Sequence, residues 1–351
     1  MKEFLVQCIR DRDRRCQAGA VLGLALLVAV VIYGRITLAS SPAPIRLVVY
    51  AFSTQREVLT QDIFPAFEQT WEAETGRDLV IEGVFGPSGT LAGQINLGAP
   101  ADVAIFSNAQ HVTHLKVGRR VRQDSQSVVV GHTMMVIVTR PGNPTGISSF
   151  SDLAQPGLRL LHADPRSSGG GQWAVLAEYG SALLESGDQA AAEKQLQSIW
   201  RNVRLLGDSA RATMTLFELG AGDAFVTYEH DALLAQQRGI PLEVVVPART
   251  IVAEHVAVIV DDNVTTDERP AAQAFIDYLL NEAGQQAFSS YYLRPANLEE
   301  EQFPEQWHPF AVDDLGGWSQ VYEQVVEAAW QTEVEPRLHL ELDPWVPTTG
   351  E

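Results

Sequence analysis

Pro165-Arg166-Ser167-Ser168-Gly169-Gly170-Gly171-Gln172-Trp173 lies between an apolar run at residues 158–162 and a helical stretch at 173–184. A strand that leads through a glycine-rich loop into a helix is where open parallel sheets hold their ligands. Three consecutive glycines leave their N–H groups unobstructed, and the positive end of the helix dipole stands behind them. Together they form a nest for a dianion. The other reading is a flexible glycine linker, but a linker belongs between domains rather than between a strand and a helix.

The same grammar extends outward along the chain. Strands are expected at residues 45–50, 79–85, 102–106, 133–139, 158–162, 223–228, 242–246 and 256–260. Helices are expected at 56–75, 173–184 and 270–280. In the first of these, Leu59, Ile63, Phe67 and Trp71 recur four apart and Gly76 supplies the stop. Strands alternating with helices predict an α/β fold of mainly parallel sheets flanked by helices. A chain of 351 residues exceeds one compact core, so two lobes are expected. Lobe one is placed at 45–130 with the return from 253 to 351, and lobe two at 131–252. Tyr322, Val325, Val326 and Trp330 recur at helical spacing, so the C-terminal stretch should pack as helices on lobe one.

Two further loops carry anion chemistry. Phe85-Gly86-Pro87-Ser88-Gly89-Thr90 follows the second strand, and Ser88 offers a hydroxyl and an N–H at a helix start. Alone, it also reads as a Gly-Pro turn with a serine cap. Asp208-Ser209-Ala210-Arg211-Ala212-Thr213 follows the stretch 203–206, and alone it also reads as an ordinary capped helix. Three such loops in one chain say more. A desolvated dianion without a counter-ion needs many neutral donors. Six or seven charge-assisted hydrogen bonds of about 1–3 kcal/mol each offset its dehydration.

Charge narrows the partner. The first 33 residues hold five basic and three acidic side chains, leaving 20 basic against 41 acidic in the remainder. That excludes nucleic acid, whose phosphates need a basic surface. It does not exclude an anion in a closed cleft, because surface charges beyond about 8–10 Å are screened by salt. Ser88 lacks the Gly-x-Ser-x-Gly elbow and an evident His or Asp partner, so no enzyme is expected. His111 and His114 stand three apart with no carboxylate or cysteine motif around them, which reads as a solvated helix face rather than a metal site.

The N-terminus reads as an export segment. Residues 10–15 are Arg-Asp-Arg-Asp-Arg-Arg, and an apolar run at 18–33 follows. Its length falls between a signal-peptide core and a membrane span. Residues 1–17 should stay cytoplasmic, with 18–34 either cleaved near Ala39 or retained as an anchor. The only cysteines, Cys8 and Cys16, precede the run. The exported part therefore has neither a disulfide nor a lipoprotein cysteine.

At these loops the chain resembles the sulfate/thiosulfate-binding proteins of bacterial ABC importers. The resemblance runs from about Arg46 to about Trp318. Its strongest block is 165–173, close to the family's Pro-Lys-Ser-Ser-Gly-Gly-Ala-Arg-Trp. Others are Arg140-Pro-Gly-Asn-Pro144, Asp208-Ser-Ala-Arg211, Gly222-Asp223 with Tyr228-Glu229, Asn281-Glu-Ala-Gly-Gln285, Tyr291-Tyr-Leu-Arg-Pro295 and Gly316-Gly317-Trp318. The resemblance implies a two-lobed periplasmic-binding-protein fold of type II, with the ligand in the cleft. It implies binding by the backbone around Ser53, Ser88, Ser168, Gly169 and Gly170, the N–H of Ala210 and the side chain of Tyr228. It departs at Ser53, where the family has Asp, at Gln172, where it has Arg, and at Tyr228, where it has Trp. A one-residue gap also falls between Phe217 and Gly220. The implied partners are sulfate or thiosulfate and an ABC permease, with no cofactor, at the periplasm or the outer face of the membrane. A monomer is expected, held to the membrane through its N-terminal segment if that is uncleaved. Molybdate, tungstate and phosphate remain as other oxyanions, and an anchored anion-sensing ectodomain as another role.

Overall fold

The computed structural model describes residues 43–298, 303–304 and 306–338, together with Val28. The stretch 1–17 expected to stay cytoplasmic, the rest of the apolar segment 18–34 and the residues beyond 338 lie outside the described residues. Among those described, no helix is long and apolar enough to cross a membrane.

Two strand sets form the α/β frame. In the first, β1 (Ile45–Phe52) runs parallel to β2 (Leu79–Gly86) and β3 (Val103–Phe106). In the second, β5 (Leu160–Ala163) runs parallel to β6 (Val203–Gly207) and β7 (Ala224–Tyr228). Two long strands join the sets. β4 (Val128–Thr139) pairs antiparallel with β9 (Val252–Ile259) over Val128 to Met134. From Met135 to Thr139 it pairs antiparallel with β7, and it also takes the short β8 (Glu243–Val245). β9 in turn lies antiparallel to β3. The strand order is β2-β1-β3-β9-β4-β7-β5-β6, with β8 on β4. Every parallel pair lies within a set, and every antiparallel pair involves β4 or β9. The lobe limits expected at 130/131 and 252/253 fall inside these two strands.

Helices cover the sheet: α1 (Phe64–Thr75), α2 (Ser88–Asn96), α3 (Ala109–Val117), α4 (Gly169–Ser186), α5 (Gln189–Trp200), α6 (Ala210–Glu218), α7 (Glu229–Gln237), α8 (Arg269–Leu280) and α9 (Glu282–Ser290). A short helix, α10 (Trp318–Val321), continues into a π-helix at Tyr322–Val334. The expected helix at 56–75 forms, with one π turn at Leu59–Ile63 leading into α1. Leu59, Ile63 and Phe67 are buried as the spacing requires. Gly76 ends it at φ 66°, a left-handed conformation that glycine adopts without steric cost.

The C-terminal stretch corrects the expectation. It forms helix with Val325, Val326 and Trp330 buried, but it packs mainly on α4 and α5 rather than on the first strand set. Trp330 meets Trp200 of α5 edge-on, with ring centres 5.2 Å apart. Trp318 meets Trp173 of α4 at 4.7 Å, and Phe310 and Leu315 sit against Gly180. Tyr322 reaches across to His114 of α3. The reason is α4 itself, which is buried continuously from Gly169 to Ala182. A helix buried on every face must be covered on every side.

Candidate anion site

Five helices begin directly after strands, at the C-terminal ends of the two oppositely directed parallel sets, which approach each other midway along β4: α2 after β2, α3 after β3, α4 after β5, α6 after β6 and α7 after β7. Their first N–H groups have no partner within the helix. Ser168 caps α4 by accepting from the Gly171 N–H at 3.3 Å, and Ser209 caps α6 through the Ala212 N–H at 3.1 Å. Asn108 caps α3 through the N–H of His111. The N–H groups of Gly169, Gly170 and Ala210 find no acceptor among the described residues. The Ser168 N–H is already spent on the carbonyl of Asp164 at 2.8 Å. The hydroxyl of Ser168 is therefore its available donor.

The loops meet at close range. The N–H of Gly89 donates to the carbonyl of Ser167 at 2.8 Å, tying the second loop to the first. Ser88 Oγ accepts from the Ser107 N–H at 2.9 Å. Trp173 Nε1 donates to the Ser107 carbonyl at 2.6 Å. Asn108 Nδ2 donates to Gln172 Oε1 at 2.9 Å, and Gln172 Nε2 to the Pro165 carbonyl at 3.1 Å. Gln172 thus locks the nest from behind, in the place where the resemblance expects an arginine.

Space requires glycine at 169 and is tight at 170. A Cβ on Gly169 would stand 1.8 Å from Ser107 Oγ. One on Gly170 would stand 3.2 Å from Tyr228 Oη and 3.3 Å from the Ala210 Cβ. Ser88, Ser168, Gly169, Gly170, Ala210 and Tyr228 therefore converge, all of them buried. Ser53 opens a single helical turn after β1, and its carbonyl accepts from Arg211 Nε at 3.2 Å. Arg211 also pairs with Glu57, so its charge is already balanced.

The lining is neutral. Tyr228 lies 1% exposed, and its hydroxyl makes no hydrogen bond among the described residues. Burial pushes its pKa well up, against a smaller opposing pull from nearby Ser107. His230 stacks on Tyr228 at 5.3 Å and bridges Thr54 (3.3 Å) and Thr133 (3.1 Å). Burial pushes it down to about 3, with Arg211 adding to the shift, so it is uncharged. His111 is also buried, correcting its reading as part of a solvated face. The N-termini of α2 and α4 cover it. Among the described residues no group of three or more His, Cys, Asp or Glu could hold a metal ion.

Three contributors escaped the sequence reading: Ser107, Asn108 and His111. All follow β3. The rule that placed the other loops, to look just beyond each strand, points to Ser107 and Asn108 as well. Nothing in the sequence signals the burial of His111.

Two α/β strand sets joined by crossing strands, with uncharged donors gathered at helix N-termini between them, define a cleft-type solute-binding protein. The chain belongs to the family of bacterial extracellular solute-binding proteins, whose model matches residues 47–294. It is 29% identical over 322 residues to the sulfate-binding protein of Synechococcus elongatus, covering 86% of this chain and 90% of that one. It is 31% identical over 296 residues to the sulfate-binding protein of Escherichia coli, covering 80% and 89%. The solved structure of the sulfate-binding protein SubI from Mycobacterium tuberculosis superposes with a TM-score of 0.72 at 25% identity, covering 80% of this chain and 99% of that one. The family is one of binding proteins rather than of enzymes.

Proposed function

We propose that this protein captures sulfate, or the closely similar thiosulfate, outside the cytoplasmic membrane and delivers it to an ABC-type permease. The observation that carries the reading is the pair of unengaged N–H groups at Gly169 and Gly170, the first glycine against Ser107 and the second against Ala210 and Tyr228. Neutral donors suit a fully ionised tetrahedral oxyanion, because no lining group demands an acceptor from the solvent or a proton from the ligand. Each charge-assisted bond contributes about 1.5–3 kcal/mol, and micromolar binding needs a net of only about −8 kcal/mol. The relatives' names support sulfate. The two lobes would be 45–130 with the return from 253, and 131–252, turning about β4 and β9. Residues 53, 88, 168–170, 210 and 228 would bind the anion. Calorimetric titration of residues 41–351 with sulfate, thiosulfate, molybdate and phosphate tests this. Sulfate or thiosulfate should bind most tightly, and a preference for molybdate or phosphate would overturn the assignment.

A further inference from the structure

Among the described residues, His111 is a buried polar side chain beside the glycine nest to which the anion reading gives no role. It is 1% exposed, and neither ring nitrogen has a hydrogen-bond partner among the described residues. Its Cε1 lies 3.2 Å from where a Cβ on Gly169 would stand, and its Nε2 lies 3.3 Å from where one on Gly89 would stand. The ring is thus wedged between the N-termini of α2 and α4, on the first turn of α3. A buried imidazole with an unmade donor and an unmade acceptor is costly, and such groups mark places where a ligand completes the bonding.

We propose, on the anion reading of the cleft, that His111 is a further residue of the site, whose imidazole gains a proton as the dianion enters and so couples anion capture to external pH. The field around the ring explains the coupling. Three helix N-termini, those of α2, α3 and α4, turn their positive ends toward it and disfavour a second positive charge. Burial acts the same way, and together with His114 it holds the ring down to about 3. A dianion at those N-termini reverses the local field, and the imidazolium becomes the favoured form.

The other groups packed on the ring do not compete for this role. Phe106 of β3 lies 5.6 Å away between ring centres and carries no charge. His114, one turn along α3, is 5.9 Å away, and burial lowers it too. The C-terminal helix contributes Tyr322 against His114, and Glu327, which acts on His114. From the glycine loop the ring meets Gly169, and the carbonyls of Arg166 and Ser167 share its space at Gly89. The guanidinium of Arg166 is turned outward to Glu335. His111 is therefore the histidine that touches the glycine nest.

The sign follows by linkage. If anion binding raises the proton affinity of His111, protons must raise the affinity for the anion by the same factor. Sulfate stays fully ionised between pH 5.5 and 8, so any proton taken up on binding belongs to the protein. The test is calorimetric titration of the full chain with sulfate at several pH values, each in two buffers of different ionisation enthalpy. The wild type should bind ~3–10-fold more tightly at pH 5.5 than at pH 8 and take up a measurable fraction of a proton. His111→Gln and His111→Phe should bind with no pH dependence and no uptake, with thermal unfolding confirming that they fold. A wild type that binds sulfate without proton uptake, or a His111→Gln variant that matches it, would overturn the coupling and leave the sulfate assignment standing. A wild type that binds no sulfate at any pH would overturn both. If neither variant folds, ring NMR of the wild type decides: the histidine against Phe106 must become protonated when sulfate is added, and its staying neutral would overturn the coupling.

Discussion

Tyr228 stands at the N-cap of α7 with its hydroxyl buried beside Gly170 and Ala210. The resemblance puts an indole there. An indole N–H only donates, whereas a phenol donates or accepts. A cradle of donors penalises monohydrogen phosphate, whose proton would find no acceptor, by about 1–3 kcal/mol. Tyr228 can turn its oxygen to that proton. Sulfate should therefore be preferred over phosphate by a smaller ratio than a tryptophan site gives, and Tyr228→Trp should widen it. Competition titrations at pH 8 check this, and an unchanged ratio would mean that Tyr228 only packs at the cleft edge. At this scale the sequence was most informative where backbone, not side chain, does the work. The open helix starts at Gly169 and Ala210 were legible because a glycine run or a capped start after a strand has a local cause, whereas the role expected of the Ala210 N–H came from the resemblance. His111 was not, because the helices that bury it begin at Ser88 and Gly169, distant in sequence.

Among the elements, those with local signals emerged where expected. The helix after the glycine loop begins at Gly169, four residues before the apolar stretch that announced it, because the capping Ser168 admits the glycines into the first turn. β4 begins at Val128 rather than 133, because its first half is set by pairing with β9, more than a hundred residues away. The C-terminal helix had a readable face but an unreadable partner. Periodicity told which residues are buried, and only the fold told that Trp200 of α5 receives Trp330. Trp330 is fully buried, so Trp330→Ala should cost about 3–5 kcal/mol of stability. Thermal unfolding reads that loss, while sulfate affinity in the folded variant should be unchanged, since Trp330 packs against Trp200 of α5 rather than against a residue of the nest. An unaltered melting temperature would show that the segment is not part of the core.

The whole molecule reconciles an acidic chain with an anionic ligand. Residues 34–351 carry a large negative excess, yet the site presents neutral hydrogen-bond donors within the reach of several helix dipoles. Short-range donors outweigh a screened surface charge. The two strand sets meet over the nest through Gly89 to Ser167, Trp173 to Ser107 and Arg211 to Ser53. An anion held between the loops would add its own bonds to that seam, which is how capture would drive closure. Gly170 is the cleanest point at which to break this. A Cβ on Gly169 would collide with Ser107 and disturb the seam itself, whereas one on Gly170 enters the space between Tyr228 and Ala210 where the anion would sit. Sulfate titration of Gly170→Val beside the wild type is the most direct measurement. The wild type should bind with a Kd of about 1 μM or tighter, at roughly −8 kcal/mol, and the variant should show no detectable binding while unfolding cooperatively like the parent. A Gly170→Val protein that binds sulfate as the wild type does would place the site elsewhere.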